Sequence, residues 1–210
     1  MAFGLFLLVF IAGQSVAGLR SYNEEQREHG EAEVSYGTYL TSSHFGEATF
    51  ENWESEFLQM GAYVLLTVWL YQRGSAESKD PDGSDPVDED PRRHRDDPDA
   101  PWPVRAGGLP LLVYRYSLSL AFLTLFGVSW LLHAVTGARA YSAEQLAHGG
   151  EAVDTWQYLG RAQFWFESMQ NWQSELLAVF AIVVLTIFLR QQGSPESKPV
   201  HAPHSQTGDG

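Results

Sequence analysis

Four long apolar runs constrain this chain more than any other feature of its sequence. The runs cover residues 2–19, 57–71, 117–135 and 176–189. A helix needs about 20 mostly apolar residues to cross the hydrocarbon core of a bilayer. The first and third runs nearly reach that length alone, and the second and fourth approach it with the flanking Trp53 and Trp172. We therefore expect four transmembrane helices, over about 2–19, 53–72, 117–135 and 172–190. A soluble bundle is the less favoured alternative, because little amphipathic helix would remain to cover such runs.

The chain also matches itself without a gap when it is shifted by 119 residues. Residues 2–79 align with 121–198, and 31 of these 78 pairs are identical. The matched pairs include "NWESEF" with "NWQSEL" and "GSAESK" with "GSPESK". This agreement indicates a tandem duplication. Each copy holds two predicted spans, so both copies enter the membrane from the same side. The sequence thus predicts an all-α integral membrane four-helix bundle of two parallel tandem repeats.

Composition divides the chain into a repeat, a linker, a second repeat and a tail. The repeats are predicted over 1–79 and 113–198. The segments 80–112 and 199–210 are rich in Pro, Asp, Ser and Gly and are predicted to be disordered. The absence of cysteine excludes disulfides and thiolate metal sites. A formal net charge of −13 argues against nucleic acid as a partner.

Basic residues predict the orientation of the chain in the membrane. Nine of the 13 Lys and Arg residues lie in 73–115 or after residue 189, and the other four lie in the connectors inside the two repeats. The positive-inside rule therefore places both termini and the linker in the cytoplasm of a cell-membrane protein, with the connectors outside. The second copy begins with "YRYSLSL" ahead of its matched Ala121, so we expect further residues upstream of Met1. A cleaved signal peptide ending before Gly18 is the alternative.

The two connectors carry paired helix signals. Asn23 and Ser142 each precede a Gln by three positions, which is the spacing of a capping box and predicts a short helix ending at Gly30 or Gly149. Ser35 and Asp154 are then predicted to cap a second short helix. A third helix, beginning near residues 43 and 160, is expected to run through the repeated motif into the span and to end at the glycine of "GSAESK" or "GSPESK".

Polar residues near the outer ends of the spans are the first candidate site. We expect them to form interfacial clusters that fix helix packing, and they are Asn52, Trp53, Ser55, Glu56, Asn171, Trp172, Ser174 and Glu175, with Gln14 and His133. In this scheme Gln14 contacts Asn52 or Glu56, and His133 contacts Asn171 or Glu175. Ionisable residues in membranes are candidates for function. A polar path between the repeats is therefore the alternative to interhelical packing.

Two Glu/His pairs form the second candidate site. Glu25 and His29 are four residues apart, as are Glu144 and His148, so each pair shares one helix face. Together they predict an external site for a divalent metal or a proton. The alternative is that each pair lies on a solvated helix face ahead of a glycine that ends the helix. Two ligands per copy are too few to exclude this alternative.

The chain contains no recognised catalytic or nucleotide-binding motif. The segments "GQSVAG", "YNEEQREHG" and "FENWESEFLQMGAYVLLTVWL", with their second-half matches, resemble a family of uncharacterised bacterial multi-pass membrane proteins, a domain of unknown function. The resemblance implies no activity, cofactor or catalytic residue. We expect a non-enzymatic structural protein or part of an envelope complex, with the bilayer and other membrane proteins or further copies as partners. The alternatives are a small transporter or channel, and a membrane enzyme with an external Glu/His metal site.

Overall fold

The computed structural model describes residues 2–80, 82–83 and 85–208, and all regular secondary structure among them is helical. The helices are α1 Ala2–Glu28, α2 Tyr36–Leu40, α3 Ser43–Leu66, α4 Trp102–Ala106, α5 Gly108–Arg115, α6 Ser117–Ala147, α7 Thr155–Leu159 and α8 Ala162–Phe188. Short 3-10 turns cover Pro86–Asp88 and Pro91–His94. No strand occurs in this part of the chain, which confirms the predicted all-α class.

Three helices are long and apolar enough to cross a membrane, as expected of a membrane protein. They are α1, α6 and α8, which cover the first and third predicted spans and all but the last two residues of the fourth. The α3 helix is not among them. It ends at Leu66, short of the predicted limit at residue 72, and its charge-free part covers only residues 57–66. Ten residues are about half of the length that a helical crossing needs.

The chain divides into two compact units. Unit 1 comprises Met1–Glu54 with Val128–Ser168, and unit 2 comprises Ser55–Gly127 with Met169–Gly210. Unit 1 contains both connectors, and unit 2 contains the linker and the tail. The disorder predicted for 80–112 and 199–210 stays a prediction. Residues 81, 84, 209 and 210 of these segments lie outside the described residues, as does residue 1 of the first repeat.

Two tyrosines fix the short connector helices in unit 1. Tyr39 of α2 and Tyr158 of α7 are almost fully buried. Each tyrosine lies against a glycine of a long helix, Gly18 for Tyr39 and Gly137 for Tyr158. A Cβ at Gly137 would lie 2.7 Å from Cε1 of Tyr158, closer than atoms can pack. Glycine therefore permits this approach, and Tyr158 joins Ala134, Ala138 and Phe164 in the apolar core of the unit.

The helix caps of the connectors agree only partly with the prediction. Ser35 and Asp154 cap α2 and α7, with Asp154 Oδ1 accepting from Gln157 N at 2.8 Å in a complete capping box. The glycine stops are also present, since Gly30 and Gly149 have φ of 74° and 75°.

The separate helices predicted from Asn23 and Ser142 are wrong. Both residues lie inside unbroken helices, α1 and α6. Their side chains instead hold the returning connector. Asn23 Oδ1 accepts from Val34 N at 2.9 Å, and Ser142 Oγ accepts from Val153 N at 2.9 Å. The same contact thus recurs 119 residues apart.

In unit 2, a turn and the tail meet around a buried lysine. Lys198 is 1% exposed, and its Nζ donates to the backbone carbonyls of Gly74, Pro203, His204 and Gln206. Gly208 N also donates to Ser75 O at 2.9 Å. These bonds attach the tail to the segment that follows α3.

Candidate functional site

An acidic cavity lies in unit 1. Its volume is about 690 Å³, and α1, α3, α6, α7 and α8 all contribute to its lining. The ionisable lining residues are six glutamates and three histidines: Glu25, Glu31, Glu47, Glu51, Glu144, Glu167, His29, His44 and His148. No Lys or Arg occurs among the lining residues of the described chain. The cavity therefore concentrates acidic groups without a Lys or Arg in its lining.

Burial and mutual repulsion perturb the ionisation of the groups in this cavity. Burial, followed by the charge of Glu167, raises the pKa of Glu47 to about 8. Burial lowers the pKa of the His44 imidazole, against the opposing influence of Glu25. Burial and the neighbouring Glu167 raise the pKa of the Tyr158 phenol. Near neutral pH, Glu47 is thus largely protonated, and burial favours the neutral form of His44.

A buried histidine lies behind one wall of the cavity. His133 of α6 is fully buried, with Nδ1 at 2.9 Å from Glu54 Oε2 and Nε2 at 3.3 Å from Glu167 Oε2. Glu167 also accepts from Tyr158 Oη at 2.7 Å and from Gln163 Nε2. A neutral imidazole has only one N–H, whereas both ring nitrogens of His133 face a carboxylate. One additional proton, on the ring or on a carboxylate, is therefore needed for both contacts to be hydrogen bonds. Glu167 links this proton-holding cluster to the cavity.

The partners of His133 differ from those that the sequence suggests. Asn171 and Glu175 are the expected partners, whereas the structure places Glu54 and Glu167 there. Both were missed because the expected partners of His133 were taken from the residues of the repeated motif that are identical in the two copies. Glu54 aligns with Gln173, and Glu167 aligns with Ala48. The signal that could have found them is His133 itself, since an ionisable side chain inside an apolar helix requires a charged partner.

The two copies of the repeated motif differ in exposure. Ser55 is buried, whereas its counterpart Ser174 is exposed and donates to Asn171 O at 2.8 Å. Asn52 donates to Ala48 O at 2.6 Å, and Trp172 packs edge-to-face on Phe126.

The remaining members of the predicted clusters are placed as follows. Gln14, Trp53 and Glu56 are exposed, and Glu175 is half-buried. The backbone carbonyl of Glu175 accepts from Gln59 Nε2 at 2.9 Å. The proposed packing role of the clusters stays a prediction.

The four residues of the predicted metal site all line the acidic cavity. The rings of His29 and His148 meet edge-to-face with centroids 6.1 Å apart. The Nδ1 atom of each ring lies 2.9 Å from the backbone carbonyl of Glu25 or Glu144. Across the described part of the chain, however, no group of three or more His, Cys, Asp or Glu side chains is arranged to hold a metal ion. The cavity thus gathers the residues around a space larger than a single metal ion needs.

Comparison with known proteins matches the chain to one family model and to no individual protein. A family model described as "Domain of unknown function (DUF6766)" matches residues 1–209. No curated protein and no solved structure matches the chain. The expected membership in an uncharacterised domain family is therefore confirmed. Bacterial origin, multi-pass topology and the repeat remain predictions.

Proposed function

The chain belongs to this family, whose description assigns no activity, so a function has to be inferred from its own geometry. We propose that the protein is an integral membrane protein and that it binds a small organic cation in the acidic cavity. The observation that carries the proposal is the lining of six glutamates, of which Glu47 is largely protonated near neutral pH by its raised pKa, with no lining Lys or Arg among the described residues. Two opposite unit charges 4 Å apart attract by about 1 kcal/mol in water and more in a less polar site.

The dimensions of the cavity favour an organic cation over a metal ion. A volume of about 690 Å³ lies within the range of small-molecule pockets. Tyr22 and Tyr141 also line the cavity, and aromatic rings attract cationic ammonium groups. An ammonium compound can contact several separated carboxylates at once, whereas a metal ion needs its ligands at one point.

The membrane arrangement that we propose is the one predicted from the sequence. Four helices, including α3, cross the cell membrane as two parallel repeats, with both termini in the cytoplasm and the cavity outside. Support comes from the three span-capable helices and from contacts that recur at the 119-residue shift, such as Asn23 with Val34 and Ser142 with Val153. Lipid, and other membrane proteins or further copies, remain the proposed partners.

Proton-coupled transport of the same cation is the second candidate function. The observation that favours it is Glu167, which lines the cavity and also contacts His133 inside the span-capable helix α6. A cation that reaches Glu167 would compete with His133 for the carboxylate. Ligand binding and proton movement would then be coupled.

Isothermal titration of the purified protein with spermidine tests the proposed function. The test variant is Glu25→Gln/Glu144→Gln, which removes two lining charges. The control is Glu28→Gln, an exposed glutamate of α1 that is not among the lining residues. At about 1 kcal/mol per charge, the loss of two charges should weaken spermidine binding about thirtyfold.

The possible outcomes separate the functional alternatives. Unchanged binding by the control variant is expected. Binding of zinc without spermidine would favour the Glu/His metal site, because imidazole ligands suit zinc. If the parent binds neither cation, the proposal is wrong, and the structural or envelope-complex role becomes the better hypothesis.

A further inference from the structure

The short helix α5 displays a stripe of large apolar side chains to its surroundings. Leu109, Leu112 and Val113 are 70%, 52% and 51% exposed, and Tyr116 at the C-cap continues the row. Their spacing is i, i+3, i+4 and i+7, which aligns them along one side of a helix. Such a stripe in water is unfavourable, because each side chain leaves apolar surface uncovered.

The opposite side of α5 packs against α4 within unit 2. Leu111 is 5% exposed and Val104 of α4 is 7% exposed, and α4 packs against α5. The stripe is therefore not the surface that fixes the helix on the protein.

We propose that α5 is an interfacial helix whose apolar stripe inserts into the lipid bilayer at the membrane surface. Continuity with α6 supports this occupant. The α6 helix is long and apolar enough to cross a membrane, and it begins at Ser117, two residues after α5 ends at Arg115. The exposed apolar side chains continue onto it at Leu118 and Leu120.

The charge and aromatic pattern also fits a lipid surface. No Asp or Glu occurs between Asp99 and Glu144, although the segment before Asp99 is strongly acidic. Arg105 and Arg115 lie in the last turns of α4 and α5, and Trp102 at the start of α4 is exposed. Interfacial helices combine apolar side chains with basic and aromatic residues that lie at the headgroup level.

Site-directed spin labelling tests this assignment directly, since the chain has no native cysteine. We would label Leu112→Cys and, as a matched control, Val87→Cys. Val87 is an apolar residue that is 77% exposed and lies in the acidic linker. Both proteins are reconstituted into nanodiscs of phosphatidylcholine and phosphatidylglycerol. Accessibility is then measured to oxygen, which concentrates in lipid, and to a water-soluble nickel chelate.

The expected result is a lipid-facing label at Leu112, with oxygen favoured over nickel several-fold, and the reverse at Val87. The same nickel preference at both positions would overturn the proposal. A Leu112 label shielded from both reagents would overturn it too, because a protein partner or a second copy would then cover the stripe. Should the Leu112 variant fail to fold, Leu109→Cys and Val113→Cys carry the same two outcomes.

Discussion

At the scale of single residues, His133 distinguishes the two halves of the chain. Its aligned position holds Gln14, and the positions aligned with its partners Glu54 and Glu167 hold Gln173 and Ala48. Glu54 of the first copy thus meets His133 and Glu167 of the second, and none of the three aligned positions holds an ionisable side chain. The sequence identified His133 as important because it lies in an apolar helix. It did not identify Glu54 and Glu167 as the partners, because contacts between helices depend on how the helices pack. The spacing of residues along the sequence does not determine that packing.

Replacing His133 should destabilise the protein by leaving two carboxylates without their shared cation. Breaking a buried ion pair costs roughly 3–5 kcal/mol, with less expected here because Glu167 is partly exposed. We expect His133→Gln to lower the thermal midpoint in detergent by several degrees.

The double variant His133→Gln/Glu54→Gln should recover part of this loss, since it removes one of the two carboxylates that contact His133. It also gives each position the amide found at its aligned position, Gln14 or Gln173. Replacing the exposed His148 with Gln should leave the midpoint unchanged. A double variant less stable than His133→Gln alone would contradict the charge-pairing explanation.

At the scale of elements, local signals succeeded where the chain enters a helix from a connector. Ser35 and Asp154 cap α2 and α7 as predicted. The same signal failed at Asn23 and Ser142, because a capping-box spacing can occur inside a helix that an apolar run has already begun. The positions of α2 and α7 depend on the tyrosine–glycine contacts with α1 and α6, which no local pattern encodes.

Two glycines of α6 allow two effects of a Gly→Ala substitution on stability to be separated. One effect is the contact of the new Cβ with Tyr158, and the other is the higher helix propensity of alanine. A Cβ at Gly137 would clash with Tyr158, whereas a Cβ at Gly127 would meet nothing within 4 Å. Gly127→Ala should stabilise the protein by up to about 1 kcal/mol, because alanine favours helix.

Gly137→Ala should instead lower the thermal midpoint and weaken the protection of α7 against hydrogen exchange. Similar midpoints for the two variants would show that Tyr158 moves aside easily. The contact would then have no part in fixing the connector.

At the scale of the whole molecule, the number of membrane crossings determines the topology. An even number places the two termini on the same side, and an odd number places them on opposite sides. The length of apolar runs correctly identified α1, α6 and α8 as span-capable helices. It does not decide the role of α3, because a helix with ten charge-free residues can cross only with help from its neighbours.

Reporter fusions decide between three and four crossings. We expect fusions after Lys79 and after Gly210 to report the cytoplasm, and a fusion at Glu31 in the first connector to report the outside. A periplasmic or extracellular signal after Lys79 would show that α3 does not cross. The proposed parallel repeats would then be wrong.

The buried Lys198 also has a practical consequence for anyone who handles the protein. Its ammonium group is solvated by backbone oxygens of the chain's last residues, and Gly208 N bonds to Ser75 O. A purification tag fused directly after Gly208 would act on that bond and pull the tail away from the lysine. An amino-terminal tag, or a long flexible spacer ahead of a carboxyl-terminal tag, keeps these oxygens around the lysine.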